Sequence, residues 1–212
     1  MTALAEQFRV IDTDTHVIEP YDLWTSRMSS KWGDDRPHVA FDEKWNTKRW
    51  RVGDHWLNPV GYYSAAGWPE HVPSYPPTLE EANPAGHQAA ERLKLMDSYG
   101  LYAQVLYPNI IGFESQLFAS MKDQDLALDC VRAYNDFLTD FASADPKRLL
   151  PITMLPFWDV DATVKEMTRC REAGHAGALW AAKLHVLGHP RINNHHWDPV
   201  YAAAQEIGRA HV

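Results

Sequence analysis

From residue 84 onward, apolar runs of strand length alternate with amphipathic runs of helix length, and that alternation restricts the fold more than any other feature. "AQVLYPN", "RLLPITMLP" and "AGALWAA" read as short buried strands. Between and after them, "AGHQAAERLKLMDSYG", "DQDLALDCVRAYNDFLTDFASA", "DVDATVKEMTRCREAG" and "DPVYAAAQEIG" read as helices. The first of these is expected to bury Ala89, Leu93, Met96 and Tyr99 and to stop at Gly100. Leu126, Cys130, Val131, Tyr134, Phe137, Leu138 and Phe141 should share the buried side of the second. Asp159 should cap the third, and Pro199 fits the first turn of the fourth. Strands that alternate with helices form parallel βα units, so the fold class is α/β.

An earlier strand, "VIDTDTH" (10–16), places Asp12, Asp14 and His16 at every second position. On a regular strand those three side chains share one face. Carboxylates taken out of water need partners, and a bound cation can serve several at once; a polar face turned to solvent explains the same spacing. The alternation alone leaves both readings open. In barrels and open α/β sheets, functional groups stand at the carboxyl ends of strands. Asp14 and His16 stand at such an end, as does Asn109 after the second strand.

Residues 17–83 form an irregular insertion with recurrent prolines, a length that suits a pocket wall, lid or subunit contact. Within it "WNTKRWRVGDHWLNP" reads as a hairpin bending at Gly53-Asp54. Trp24, Trp32, Trp45, Trp50, Trp56 and Trp68 crowd this part of the chain. They are expected to pack the segment onto a body or to form a minor core of its own, rather than to stack on a ligand. Arg49 and Arg51 could reach a substrate carboxylate, although a solvated hairpin face is the simpler reading.

With 212 residues and 45% hydrophobic content, the chain can bury one sizeable core or two small ones. A formal net charge of −8 argues against nucleic acid as a partner, and no basic run suggests a membrane surface. No stretch resembles a secretory leader or a membrane span, and Cys130 and Cys170 fit reduced core thiols, so a cytoplasmic protein is expected. Neither G-x-G-x-x-G nor G-x-x-x-x-G-K-[ST] occurs at the expected places, which weakens nucleotide-binding versions of the fold.

Taken in order, "IDTDTHVIEP", "RLKLMDSYGLYAQVLYPN", "RLLPITMLPFWDVDATVKEMTRCREAG" and "WDPVYAAAQEIG" resemble the amidohydrolase-related family. This branch of the amidohydrolase superfamily contains aminocarboxymuconate semialdehyde decarboxylase and the resorcylate-type decarboxylases. The resemblance implies a (β/α)₈ TIM barrel of the metal-dependent hydrolase type, with one divalent metal at its mouth, zinc or alternatively manganese. It places the first metal ligands on Asp14 and His16; relatives often have His or Glu at the first of these. The remaining ligands and the acid or base would follow the fifth and eighth strands, beyond residue 212.

A complete barrel takes about 250 residues, whereas here only four strands precede residue 182. The expectation is therefore an incomplete barrel of about the first four βα units plus the insertion. Arg209 to Val212 match the translation of a common sequencing adapter, so 209–212 is expected to be non-native and His211 is not taken as a ligand. The parent would be a hydrolase or a non-oxidative carboxy-lyase acting on a small organic or aromatic acid, with a homodimer allowed. The alternative is a non-catalytic binding or assembly piece. Asn109 and His185 are carried as candidate substrate contacts, His185 against a surface-loop role, and His195-His196 as exposed or capping residues.

Overall fold

The computed structural model describes residues 8–71, 73–113, 115–181 and 183–208; the terminal segment expected to be non-native lies outside them. The chain begins with β1 (Val10–His16) and then enters the insertion, which carries α1 (Leu23–Arg27), β2 (His38–Asp42), β3 (Thr47–Val52) and β4 (His55–Pro59). The βα run follows: α2 (Ala89–Tyr99), β5 (Leu101–Tyr107), α3 (Ile110–Phe113), α4 (Ser115–Ala119), α5 (Gln124–Ala142), β6 (Leu149–Met154), α6 (Val160–Glu172), β7 (Gly177–Leu179) and α7 (Asp198–Glu206).

Two sheets result. β1, β5, β6 and β7 form a four-stranded sheet in that order, and every pairing in it is parallel. Each βα unit thus adds its strand on the same side, as in a barrel wall, with no reversal of the kind that defines a doubly wound sheet. β2, β3 and β4 form a separate antiparallel sheet. Its β3–β4 turn is the expected hairpin: Val52 pairs with His55, and Gly53 takes φ +53° at the bend. β2 was not anticipated.

The helices end where local chemistry stops them. Gly100 adopts φ 69° after α2, a conformation that glycine enters without steric cost. Asp123 accepts from the backbone N–H groups of Asp125 and Leu126, and Asp159 accepts from that of Ala162. All seven residues expected on the inner side of α5 are buried. On α2 the expected face is rotated: Arg92 and Met96 are buried, while Tyr99 is 70% exposed. Arg92 and Met96 stand four residues apart and lie one above the other.

The insertion does not build a separate Trp core. Trp24 and Trp50 enter the main hydrophobic core, meeting edge to face at 5.2 Å, and the Trp24 indole N–H donates to the Cys130 carbonyl at 3.1 Å. Trp32 donates to Asp129 on the same helix at 2.8 Å. A small satellite cluster of Ile18, Leu79 and Ala82 contains no tryptophan. Cys130 and Cys170 are buried and unpaired with each other, and burial pushes both thiols up from their ordinary range. Among the described residues, no helix is long and apolar enough to cross a membrane.

Core and surface tryptophans of the hairpin should therefore differ sharply. Trp50→Ala, at a position 2% exposed, should lower the unfolding free energy by about 3–5 kcal/mol. Trp45→Ala, at 56% exposure over the Arg49 guanidinium, should lower it by under about 1 kcal/mol. Urea titration of the two variants checks the contrast.

Candidate metal centre

Asp14 and His16 occupy the carboxyl end of β1, but the strand is not regular on the way there. Asp12 lies opposite Gln104 and Thr15 opposite Leu106, so β1 carries one extra residue between those pairs. This β-bulge corrects the expectation that Asp12, Asp14 and His16 share one face. Asp12 Oδ2 accepts from Gln104 Nε2 at 3.1 Å, whereas His16 turns to the loop after β5. Asp12 Oδ1 accepts the Asp14 backbone N–H at 3.2 Å, which fixes the bulge from within.

His16 Nδ1 lies 3.1 Å from the Pro108 carbonyl oxygen. A carbonyl only accepts, so Nδ1 carries the proton and Nε2 presents its lone pair. Nε2 stands 3.9 Å from Asp14 Oδ1. Metal–ligand bonds to imidazole and carboxylate run about 2.0–2.2 Å, so one cation can span this separation. Holding the far ring nitrogen on a carbonyl is how proteins orient metal-binding histidines. The donor set therefore fits a divalent cation. Two donors leave a coordination shell open, and among the described residues no group of three or more His, Cys, Asp or Glu is placed to hold a metal.

The surroundings are aromatic on one side and polar on the other. The His16 ring lies 4.9 Å from Phe113, whose ring stacks on Tyr63 at 5.7 Å. Asp14, His16, Tyr63, Asn83, Arg92 and Gln104 contribute to the lining of a cavity of about 310 Å³. The insertion thus supplies part of the wall, through Tyr63 and Asn83 rather than through a tryptophan.

The other candidates lie elsewhere. Asn109 is 2% exposed and outside that lining. Its side-chain N–H donates to Glu19 Oε2 at 3.1 Å, and its backbone N–H donates to the Tyr134 hydroxyl at 3.1 Å. His185 sits on an exposed turn after β7 and does not line the cavity with His16. Arg49 is committed to Asp42 and to the Leu57 carbonyl, and Arg51 to the Gly53 carbonyl and Asp54. His195 is exposed, as one of the two expectations had it, and its ring bonds the Asp198 side chain at the start of α7.

Two residues escaped sequence reasoning. Arg92 reads as one more charge on a solvated helix face, yet it is 6% exposed. Glu19, next to Pro20, reads as a strand terminator, yet it is 2% exposed and accepts the Ile110 backbone N–H at 2.7 Å. Burial pushes the Glu19 carboxyl up from 4.5 to about 8, against the lowering effect of its hydrogen bonds.

No family model matches the chain. Among curated proteins it is 34% identical over 89 residues to the gamma-resorcylate decarboxylase of Rhizobium radiobacter, a match covering 42% of this chain and 26% of that enzyme. A gamma-resorcylate decarboxylase of Rhodococcus jostii is 33% identical over 89 residues, with the same coverage of 42% and 26%. The chain thus covers about a quarter of the length of the curated relatives it matches. Among solved structures, an amidohydrolase of Mycobacterium avium subsp. paratuberculosis superposes with TM-score 0.72 at 21% identity, over 97% of this chain and 59% of that one. A 5-carboxyvanillate decarboxylase of Novosphingobium aromaticivorans, solved with bound manganese and a nitrobenzoic acid, gives TM-score 0.57 at 18% identity, over 97% and 50%.

The fold is thus a mixed α/β one whose parallel sheet corresponds to part of the barrel of amidohydrolase neighbours. The relatives by sequence are gamma-resorcylate decarboxylases and a solved structural neighbour is an amidohydrolase, which agrees with the resemblance to the amidohydrolase-related family.

Glu19 carries a pH signature. Between pH 4.5 and about 8 the folded state holds its proton and the unfolded state does not, so stability declines as pH rises through that window. His175, lowered from 6.5 to about 4 by burial, acts in the opposite sense below pH 6.5. The decline should therefore emerge above pH 6.5, at up to about 1.4 kcal/mol per pH unit. Urea midpoints measured across this range should slope downward in the wild type and flatten in Glu19→Gln; equal slopes would contradict the assignment.

Proposed function

We propose that the chain is the amino-terminal part of a metal-dependent, non-oxidative decarboxylase acting on a small hydroxylated aromatic acid. One observation carries the reading: His16 is held by Pro108 so that Nε2 lies beside Asp14 at the carboxyl end of the parallel sheet, on a cavity. Asp14 and His16 would hold a divalent cation, manganese or zinc; oxygen and imidazole donors suit either. When bound, such a cation supplies positive charge that anchors and polarises carboxylate and phenolate oxygens of an aromatic acid. The chain's own residues do the rest of the positioning. Tyr63, backed by the stacked ring of Phe113, offers an aromatic face on the cavity against which an aromatic ring can lie. The cavity, about 310 Å³, is of a size that takes a small aromatic acid.

The names of the relatives favour decarboxylation over hydrolysis, since those matched by sequence are gamma-resorcylate decarboxylases. Incompleteness is part of the proposal. The open coordination shell implies that further ligands, and the acid that delivers a proton to carbon, come from outside the described residues. His185, on the exposed turn after β7, remains a candidate substrate contact, and buried Asn109 ties the loop after β5 to Glu19.

The 212-residue chain is expected to retain divalent metal weakly, below one equivalent, and to release no carbon dioxide from 2,6-dihydroxybenzoate. Joined to a complementary carboxyl-terminal half-barrel, it should bind one equivalent of metal tightly and release carbon dioxide, and His16→Ala should abolish both without loss of the folded circular-dichroism spectrum. Elemental analysis and carbon dioxide release measure these outcomes. Tight one-to-one metal with turnover by the chain alone would defeat the fragment reading. Hydrolysis of esters or lactones without decarboxylation by the joined protein would defeat the assigned chemistry.

A further inference from the structure

Arg92 makes five hydrogen bonds, and none of them goes to a carboxylate. Nε donates to the Ala85 carbonyl. Nη1 donates to Thr15 Oγ1 at 3.1 Å and to Gln104 Oε1 at 3.2 Å. Nη2 donates to the His16 carbonyl at 2.8 Å and to the Gly86 carbonyl at 3.4 Å. A guanidinium has five N–H donors in a fixed fork, so these acceptors exhaust it. Arg92 lines the cavity yet has no donor left for a ligand. Its role is to place other groups.

The contacts reach both candidate ligands. One branch ends on the carbonyl of His16 itself. The other passes through Gln104, whose Nε2 donates to Asp12 Oδ2 at 3.1 Å, and Asp12 Oδ1 in turn accepts the Asp14 N–H at 3.2 Å. A third branch ties the turn that follows the insertion to the insertion's first residues. The Ile18 N–H donates to the Gly86 carbonyl at 2.9 Å, and a Cβ on Gly86 would meet Ile18 Cδ1 at 2.3 Å, so a side chain there would have to displace the end of Ile18. We propose that Arg92 is the positioning residue of the centre, setting the bulged end of β1 so that Asp14 and His16 present their donors together and docking the cavity wall at 85–86 against them. This rests on the assignment of Asp14 and His16 as cation ligands.

The test compares wild type, His16→Ala, Arg92→Lys and Arg148→Lys by manganese affinity and by NMR of the His16 imidazole. Lysine keeps the charge but loses the fork. Arg148 is the control, because it also clamps backbone carbonyls, those of Leu101 and Tyr102 at the opposite end of β5. Arg92→Lys should weaken manganese binding about 10–100-fold, the usual loss when an outer support of a metal ligand is removed. It should also replace the single Nδ1-protonated His16 signal by a mixture of ring states. Arg148→Lys should lower stability and leave both readouts unchanged.

Wild-type affinity and an unchanged His16 signal in folded Arg92→Lys would overturn the proposal, as would an equal effect of Arg148→Lys. Should Arg92→Lys fail to fold, Thr15→Val, which removes one acceptor of Nη1, must shift both readouts in the same direction. If the wild type shows no manganese binding that His16→Ala removes, the ligand assignment falls, and the His16 signal alone decides the role of Arg92.

Discussion

A charged guanidinium is held almost entirely out of water where the first strand, the turn after the insertion and the helix that follows converge. Taking such a cation from solvent costs several kcal/mol unless its donors are satisfied, and burial pulls Arg92 below its ordinary value, with Asp12 acting the other way. Satisfaction here requires carbonyls from 16, 85 and 86 and side chains from 15 and 104 to meet in one place. Those acceptors come from β1, the turn at 85–86 ahead of α2, and β5. Separating any one of them leaves a buried donor unpaired, so the three segments hold or loosen together.

The carboxyl side of the sheet is organised by a second buried group. Glu19 joins the exit of β1 to the start of α3 through Asn109 and the Ile110 N–H, and Asn109 passes the connection to Tyr134 in the core. Between these two anchors, the Pro108 carbonyl accepts a hydrogen bond from His16 Nδ1. The candidate ligand is thus oriented by a loop that is itself fixed, the arrangement that metal-binding imidazoles require.

Apolar side chains at the start of β1 and on α3 are open to solvent. Val10, Ile11 and Phe113 are 43%, 48% and 59% exposed, and β1 and β7 are the two edges of the parallel sheet. Such edges and faces are covered when a barrel closes. This agrees with the proposal that the described residues are one part of a larger enzyme.

The sequence by itself determined the order of the parallel strands and long helices, the cap at Asp159, the stop at Gly100, the hairpin at Gly53 and the buried stripe of α5. Each of these depends on residues within a few positions of one another, where periodicity and backbone preference act directly. It also carried the family resemblance and the pairing of Asp14 with His16. Only the tertiary structure decided that a bulge takes Asp12 away from them, that Asn109 serves Glu19 and lies outside the cavity lining, that Trp24 and Trp50 join the main core, and that Arg92 faces inward. Those outcomes turn on partners far apart in the chain, such as Asp12 with Gln104 and Trp24 with Cys130. A polar side chain is buried only where folding delivers the acceptors it needs, and local pattern holds no record of that.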